Sequence, residues 1–373
     1  MPATASIWAS QPFKALYVTA FLVKLPFNLI YYIFKFNLSK HLRPNRELSA
    51  KDNVGTIVFK SVFQALAATR TPSIMVPEPT AAGERCVDVK IPSPSLFTSV
   101  LFPSDAVKPA PLHGVWFPSL PSTDAAEANS QKTLLHFPGG AFVIKFNNAD
   151  FAPLLAAAAS KNLNVGRTIW AQYRLAGSPE TAFPAALQDA LAFYAYVLST
   201  NIDPENIILS GDSAGGNVAL ALLRYLEETK VLPLPGSCMV FSPWVHVTVN
   251  AAIDYNASRN SDGDVLVADL LQWGADAYRP SLVSKETEPY ISPLHHPFKT
   301  SVPLFLHAGG AEAFCADIEE FANQMQQVNG GDTTLLAVTP HVTHDIVVIP
   351  GHQGKTEELY KSLRDANAMF DRI

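Results

Sequence analysis

The sequence predicts an α/β architecture in which a mainly parallel central sheet is covered by helices on both faces. Beyond about residue 130, short apolar runs rich in β-branched residues alternate with helical segments, the order that parallel strands and crossover helices require. At one point the alternation is compressed into a single turn. Ile207-Ile208-Leu209-Ser210-Gly211-Asp212 reads as a buried strand, and residues 217–223 already read as helix. Size agrees: 373 residues, 48% hydrophobic and only 16% charged, can bury a large core as one decorated domain or as two.

Residues 1–80 read as a mostly helical extension that closes in a Pro-rich stretch over 71–79. Inside it, 13–36 (FKALYVTAFLVKLPFNLIYYIFKF) is the compositional anomaly. Residues 1–12 carry no Lys or Arg, so the basic region of a signal peptide is lacking. Lys24 sits mid-run and Pro26 follows it. A central Lys costs roughly 3 kcal/mol on membrane insertion, and an internal Pro is expected to bend or break the helix. Three arrangements stay open: a helix packed as part of a cap, a helix lying in a membrane surface, and a true span.

The remaining elements follow in order. Residues 85–91 alternate as a half-buried strand, 114–117 form another, and 118–131 are a surface loop. A buried strand at 133–137 ends at Pro138-Gly139-Gly140, followed by a helix over 152–159, a strand over 167–173 and a helix over 185–198. After the strand at 207–212 and its helix come a strand at 238–241, a polar, irregular excursion over 247–289, and strands at 303–307 and 334–338. The domain reading is an extension or cap over 1–80 and a main domain over 81–373, with 247–289 as a cap insertion. A net charge of −6 without a basic block excludes a nucleic-acid partner. Three distant cysteines argue against a disulfide framework or a zinc site, and no metal or organic cofactor is expected. Sequons at Asn37 and Asn256 matter only in the secretory path; the expected place is intracellular, cytoplasmic or membrane-associated, the endoplasmic reticulum included. Oligomeric state is left open.

The chemistry concentrates at Gly211-Asp212-Ser213-Ala214-Gly215. A serine between two glycines, at a strand-to-helix turn, is the context of an exposed nucleophile, with the Ala214 N–H at the helix N-terminus as an oxyanion donor. The competing reading is a plain Gly-rich turn. A serine nucleophile needs a base and an acid to orient it. His341 and His344 both follow the strand at 334–338, and Gly309-Gly310-Ala311-Glu312 follows the strand at 303–307.

With these residues in view, the chain resembles the hormone-sensitive-lipase-like branch of the α/β-hydrolases, and particularly fungal esterases of that group. The resemblance rests on GDSAGGN at 211–217, Tyr173-Arg174-Leu175-Ala176 with Pro179-Glu180, Phe183-Pro184-Ala185-Ala186, and Ser242-Pro243-Trp244, and covers about 130–373. Gly177-Ser178 lengthen the first of these motifs by two residues. It implies the α/β-hydrolase fold, Ser213 as nucleophile, His344 as base and Glu312 as acid, where the family more often has Asp; Asp317 is the runner-up. The family's HGGG-F loop appears as Pro138-Gly139-Gly140-Ala141-Phe142, so the resemblance assigns the oxyanion hole to the N–H groups of Gly139, Gly140 and Ala214, with a loop braced differently from the family's. The implied activity is hydrolysis of a small-molecule ester; the apolar content of the N-terminal segment and of 247–289 points to a lipophilic one, a fungal secondary metabolite among the options, and peripheral membrane contact is one expectation for 13–36. Two other readings stand beside it: non-hydrolytic acyl transfer, elimination or cyclisation in the same pocket, and a binding protein that has lost catalysis.

Overall fold

The computed structural model describes residues 6–73, 79–145, 148–348 and 354–372. Part of the Pro-rich stretch, 74–78, therefore lies outside the described residues. Eight strands form one sheet: β1 (Cys86–Val89), β2 (Leu112–Phe117), β3 (Lys132–Phe137), β4 (Val165–Trp170), β5 (Ile207–Asp212), β6 (Ser237–Phe241), β7 (Leu304–Gly309) and β8 (Thr334–Thr339). Their spatial order is β1-β2-β4-β3-β5-β6-β7-β8. Only the β1–β2 and β2–β4 pairs are antiparallel; β3 to β8 pair in parallel. The helices are α1 (Phe13–Leu38), α2 (Ala50–Thr69), α3 (Ala125–Ala128), α4 (Asn148–Leu163), α5 (Ala185–Ser199), α6 (Ser213–Thr229), α7 (Ala251–Ala257), α8 (Ala268–Tyr278), α9 (Glu288–Ile291), α10 (Cys315–Asn329) and α11 (Thr356–Phe370).

Strand side chains alternate between the two faces, and here both faces are covered, so the strands read as unbroken apolar runs. Leu135, Leu209, Val240 and Leu306 pack in the core shared with α5, α6 and α10. Their neighbours Leu134, Ile208, Met239 and Phe305 pack in the core shared with α4 and α11. This two-sided parallel sheet is the α/β-hydrolase fold.

Three expectations need correction. The strand over 167–173 stops at Trp170: the Ala171 N–H makes a last bond to β3, at the His136 carbonyl, and beyond it the Tyr173 hydroxyl donates to the Pro138 carbonyl. The excursion over 247–289 is not irregular. It holds α7, α8 and the start of α9, and α8 buries Leu270, Leu271, Gly274, Ala275 and Tyr278 on one helical face while its polar residues face outward.

The third concerns the extension. α1 runs unbroken through Pro26, which removes one backbone hydrogen bond but does not end the helix. Its main helical neighbour is α2 rather than the sheet domain, and it buries only Phe36 among its described residues. Phe27 and Phe34 are each 70% exposed. The segment that does reach the main domain is α2. Ser49 caps it by accepting the Asp52 N–H, and Phe63, Leu66 and Ala67 enter the main core. Lys60 Nζ donates to the carbonyls of Ser261 and Asp262, and the Arg70 guanidinium lies over the Trp273 ring, so α2 is fastened to the excursion.

Candidate active site

β5 ends by handing the chain to Ser213, whose φ of 51° lies in the left-handed region. Such a conformation costs a non-glycine residue on the order of 1–3 kcal/mol and persists only where the surroundings enforce it. The flanking glycines show the enforcement. A Cβ on Gly215 would stand 2.0 Å from the Phe137 carbonyl oxygen, and one on Gly211 would stand 2.3 Å from that of Gly215. Strand and helix thus approach more closely than any other residue permits, and Ser213 is lifted to the top of the sheet.

Around it the loops after β7 and β8 converge. Ser213 Oγ lies 2.9 Å from His344 Nε2, and His344 Nδ1 lies 2.7 Å from Glu312 Oε2. Glu312 Oε1 accepts the Gly309 N–H at 2.8 Å, which fixes the carboxylate. A carboxylate only accepts, so Nδ1 carries the imidazole hydrogen and Nε2 is left to accept the serine hydroxyl proton. Of the two histidines considered, His344 is the one that reaches Ser213; His341 sits at an exposed turn with φ 60°. Asp317 is directed elsewhere, 3.5 Å from His246 Nδ1.

Burial of His344 works against its charge, but the hydrogen bond and charge of Glu312, with the nearby carboxylate of Asp264, outweigh it and raise the imidazole from 6.5 to about 9. Burial in turn pushes Glu312 up, and the imidazole beside it pulls it back. An NMR titration of the His344 ring is therefore expected to show a midpoint near 9. In Glu312→Gln the midpoint should fall toward or below 6.5, since the raising partner is gone and burial remains. A midpoint unchanged by that substitution would separate Glu312 from His344.

Asp264 was not singled out in the sequence, where it reads as one more polar residue of the excursion. Its buried carboxylate accepts the N–H groups of Val265 and His344 at Oδ1, each at 2.8 Å, and that of Ala313 at Oδ2, at 2.9 Å. One side chain from the excursion thus pins the loops of both Glu312 and His344. The only available signal was its place just before the apolar run Val265-Leu266-Val267.

The loop after β3 requires a change in the oxyanion assignment. The Gly139 N–H donates to Asp212 Oδ2 at 2.8 Å and is already engaged. Gly140 and Ala141, with φ 127° and 51°, turn the loop toward Ser213, and among the described residues no hydrogen bond engages the N–H of either. Gly140 and Ala141 line the cleft together with Ser213, and Ala214 stands in the first turn of α6, where a helix leaves its N–H groups without intrahelical partners. A narrow cleft opens over this floor, lined by Gly140, Ala141, Ser213 and His344. Its walls are Phe59 and Phe63 of α2 and Leu266, Leu270 and Leu271 of the excursion, while no described residue of 13–36 lines it. Among the described residues no cluster of three or more His, Cys, Asp or Glu is arranged to hold a metal ion.

Comparison with known proteins fits this arrangement. The profile of the α/β-hydrolase fold family matches residues 134–348, more than half of the chain. The chain belongs to the α/β-hydrolase family. An esterase of Acinetobacter venetianus is 28% identical over 205 residues, 55% of this chain and 64% of that protein. An ethyl acetate hydrolase of Pseudomonas putida is 27% identical over 232 residues, 61% of this chain and 69% of that protein. The chain thus spans less than two thirds of the Acinetobacter relative. A crystal structure of an esterase from the bacterial hormone-sensitive lipase family superposes with a TM-score of 0.54 at 24% identity, covering 71% of this chain and 86% of that one. The family match begins within β3, so α1 and α2 lie outside it.

Proposed function

We propose that this α/β-hydrolase is a serine carboxylester hydrolase that works through an acyl-enzyme. The observation that carries the proposal is the hydrogen-bonded chain Ser213–His344–Glu312 at the floor of a hydrophobic cleft. His344 Nε2 takes the Ser213 proton as Oγ attacks the ester carbonyl, and Glu312 holds the imidazole tautomer and balances its charge. The carbonyl oxygen, becoming an anion, accepts the N–H groups of Gly140, Ala141 and Ala214; each such donor contributes about 3 kcal/mol to the barrier reduction. His344 then protonates the leaving alcohol. Water, deprotonated by the same His344, releases the acid. The esterase and ethyl acetate hydrolase relatives support ester chemistry over the non-hydrolytic alternatives. The apolar walls favour a lipophilic ester with a small acyl group, a secondary metabolite of a fungal-type host among them. The test is a panel of p-nitrophenyl esters of rising acyl length. Turnover highest for the shortest chains is expected. Acyl transfer to an added alcohol without any release of free acid would replace hydrolysis by transfer.

The extension suggests where such a substrate comes from. α1 is the one described helix long and apolar enough to cross a membrane. Residues 1–46 carry six Lys or Arg and no Asp or Glu, while the whole chain is −6, so the remainder carries −12. Such segregation fits an anionic lipid surface, where each basic residue contributes about 1 kcal/mol. α1 packs along α2, which is fastened to the excursion, and this supports peripheral contact with the lipid surface as the reading put to test. Deleting residues 1–36 is expected to abolish co-sedimentation with phosphatidylcholine–phosphatidylserine vesicles. It should also impair turnover of bulky lipophilic esters much more than of a small acetate. Equal losses for both esters, with sedimentation unchanged, would reduce the segment to a folding aid.

A further inference from the structure

Beside the Ser–His–Glu chain runs a second buried network that the reaction scheme leaves unused. His136 Nε2–H donates to Asp212 Oδ1 at 2.9 Å, and Ser210 Oγ stands 3.1 Å from His136 Nδ1. Asp212 Oδ2 accepts the Gly139 N–H at 2.8 Å. The carboxyls of Asp212 and Asp345 are hydrogen-bonded to each other. Asp345 Oδ1 also accepts the Val347 N–H at 3.0 Å, and the Asp345 N–H donates to Ser242 Oγ at 3.1 Å. His136, Ser210, Asp212, Ser242 and Asp345 are all buried.

The placement in the chain is what matters. Asp212 is the residue before Ser213, Asp345 the residue after His344, and Gly139 the residue before Gly140. Two of the three segments that must meet for the reaction send the immediate neighbour of their functional residue, Gly139 and Asp345, to the carboxylate that the third supplies, Asp212. Protons can be assigned by elimination. His136 Nε2 faces an acceptor and must carry a hydrogen, so Nδ1 accepts from Ser210; burial drops the imidazole to about 3, which keeps it neutral. Two buried carboxyls in contact hold one proton between them. Asp212 already accepts from His136 and Gly139, two donors that favour its ionised form. Burial and the adjoining Asp212 both drive Asp345 upward, well above the usual carboxyl range.

We propose that Asp345 is a neutral carboxylic acid that donates its proton to the Asp212 carboxylate, and that this bond, braced by His136, positions the nucleophile turn, the oxyanion loop and the His344 loop relative to one another. The inference rests on the esterase reading for its kinetic consequences but not for the proton assignment. His136 then takes over the bracing of the oxyanion loop in a chain where Pro138 stands at the position of the family's loop histidine.

The test uses variants of the full chain. Asp345→Ala is expected to lower kcat on p-nitrophenyl acetate by on the order of 10²-fold, the effect of misplacing one oxyanion donor, with KM nearly unchanged. Asp345→Asn should restore most of that loss, because an amide N–H donates where the acid O–H did. Asp212→Asn should not be tolerated in the same way, since its amide nitrogen would face the donors of Gly139 or His136. The infrared difference spectrum of wild type against Asp345→Asn at neutral pH should contain the carbonyl stretch of a protonated carboxylic acid. Absence of that band overturns the proposal, and so does the reverse ranking, with Asp212→Asn active and Asp345→Asn impaired. If Asp345→Ala does not fold, the band and the two Asn variants still decide. The band does not depend on turnover, so a wild-type chain that hydrolyses no ester defeats the proposed function and leaves the proton's place measured.

Discussion

Ser213→Ala is expected to abolish both fluorophosphonate labelling and ester turnover. Loss of a triad serine lowers kcat by about 10⁶, because no other group can form the acyl-enzyme and the remaining donors only stabilise attack by water. The fold should survive the change: the left-handed backbone at position 213 is enforced by the close approach of Gly211 and Gly215 to their neighbours, not by the serine hydroxyl. Intact-mass analysis of the wild type should show one phosphonate, and peptide mapping should place it on Ser213. Undiminished hydrolysis by a folded Ser213→Ala protein would end the mechanism. Circular dichroism on the same sample separates that outcome from unfolding.

The second large effect is at the acid. Glu312→Gln is expected to lower kcat by about 10⁴, since the amide neither fixes the imidazole tautomer nor balances the charge it acquires. Asp317→Asn should change kcat by no more than a few-fold, because Asp317 reaches His246 and not the catalytic imidazole. The pH profile gives an independent reading. His344 acts as a base only when neutral, and Glu312 raises its titration to about 9, so wild-type kcat/KM should climb through the alkaline range. In Glu312→Gln the residual activity should reach its plateau at lower pH, as removal of the negative charge lets the imidazole lose its proton earlier. A large loss in Asp317→Asn with little in Glu312→Gln would move the acid to position 317.

α2 explains why the cleft belongs partly to the extension. Phe59 and Phe63 wall the space over Ser213, while Ser61 and Gln64 of the same helix face the groove beside α1. A helix with one face on the cleft over Ser213 and another toward α1 places α1 one layer away from that cleft. Part of the cleft wall is thereby supplied by a segment outside the family match.

Much of this protein was legible in its sequence because the signals are local. Ile207–Asp212 followed at once by helix, two glycines around Ser213 and the alternation of apolar runs with helices all reflect backbone sterics and side-chain period within a few residues. The positions of Glu312 and His344 after their strands came from the resemblance and from chain order. What tertiary structure alone decided depends on contacts between residues far apart in the chain. Gly139 looked like a free donor until Asp212, 73 residues on, was seen to accept its N–H, which moved the oxyanion assignment to Ala141. Asp264 lies 80 residues from His344, and nothing in its neighbours reveals that its carboxylate holds the loops of both acid and base. The course of α1 was equally hidden. An apolar run states that a surface must be covered, but only the packing of α2 against the excursion determines which surface of α1 is left for it.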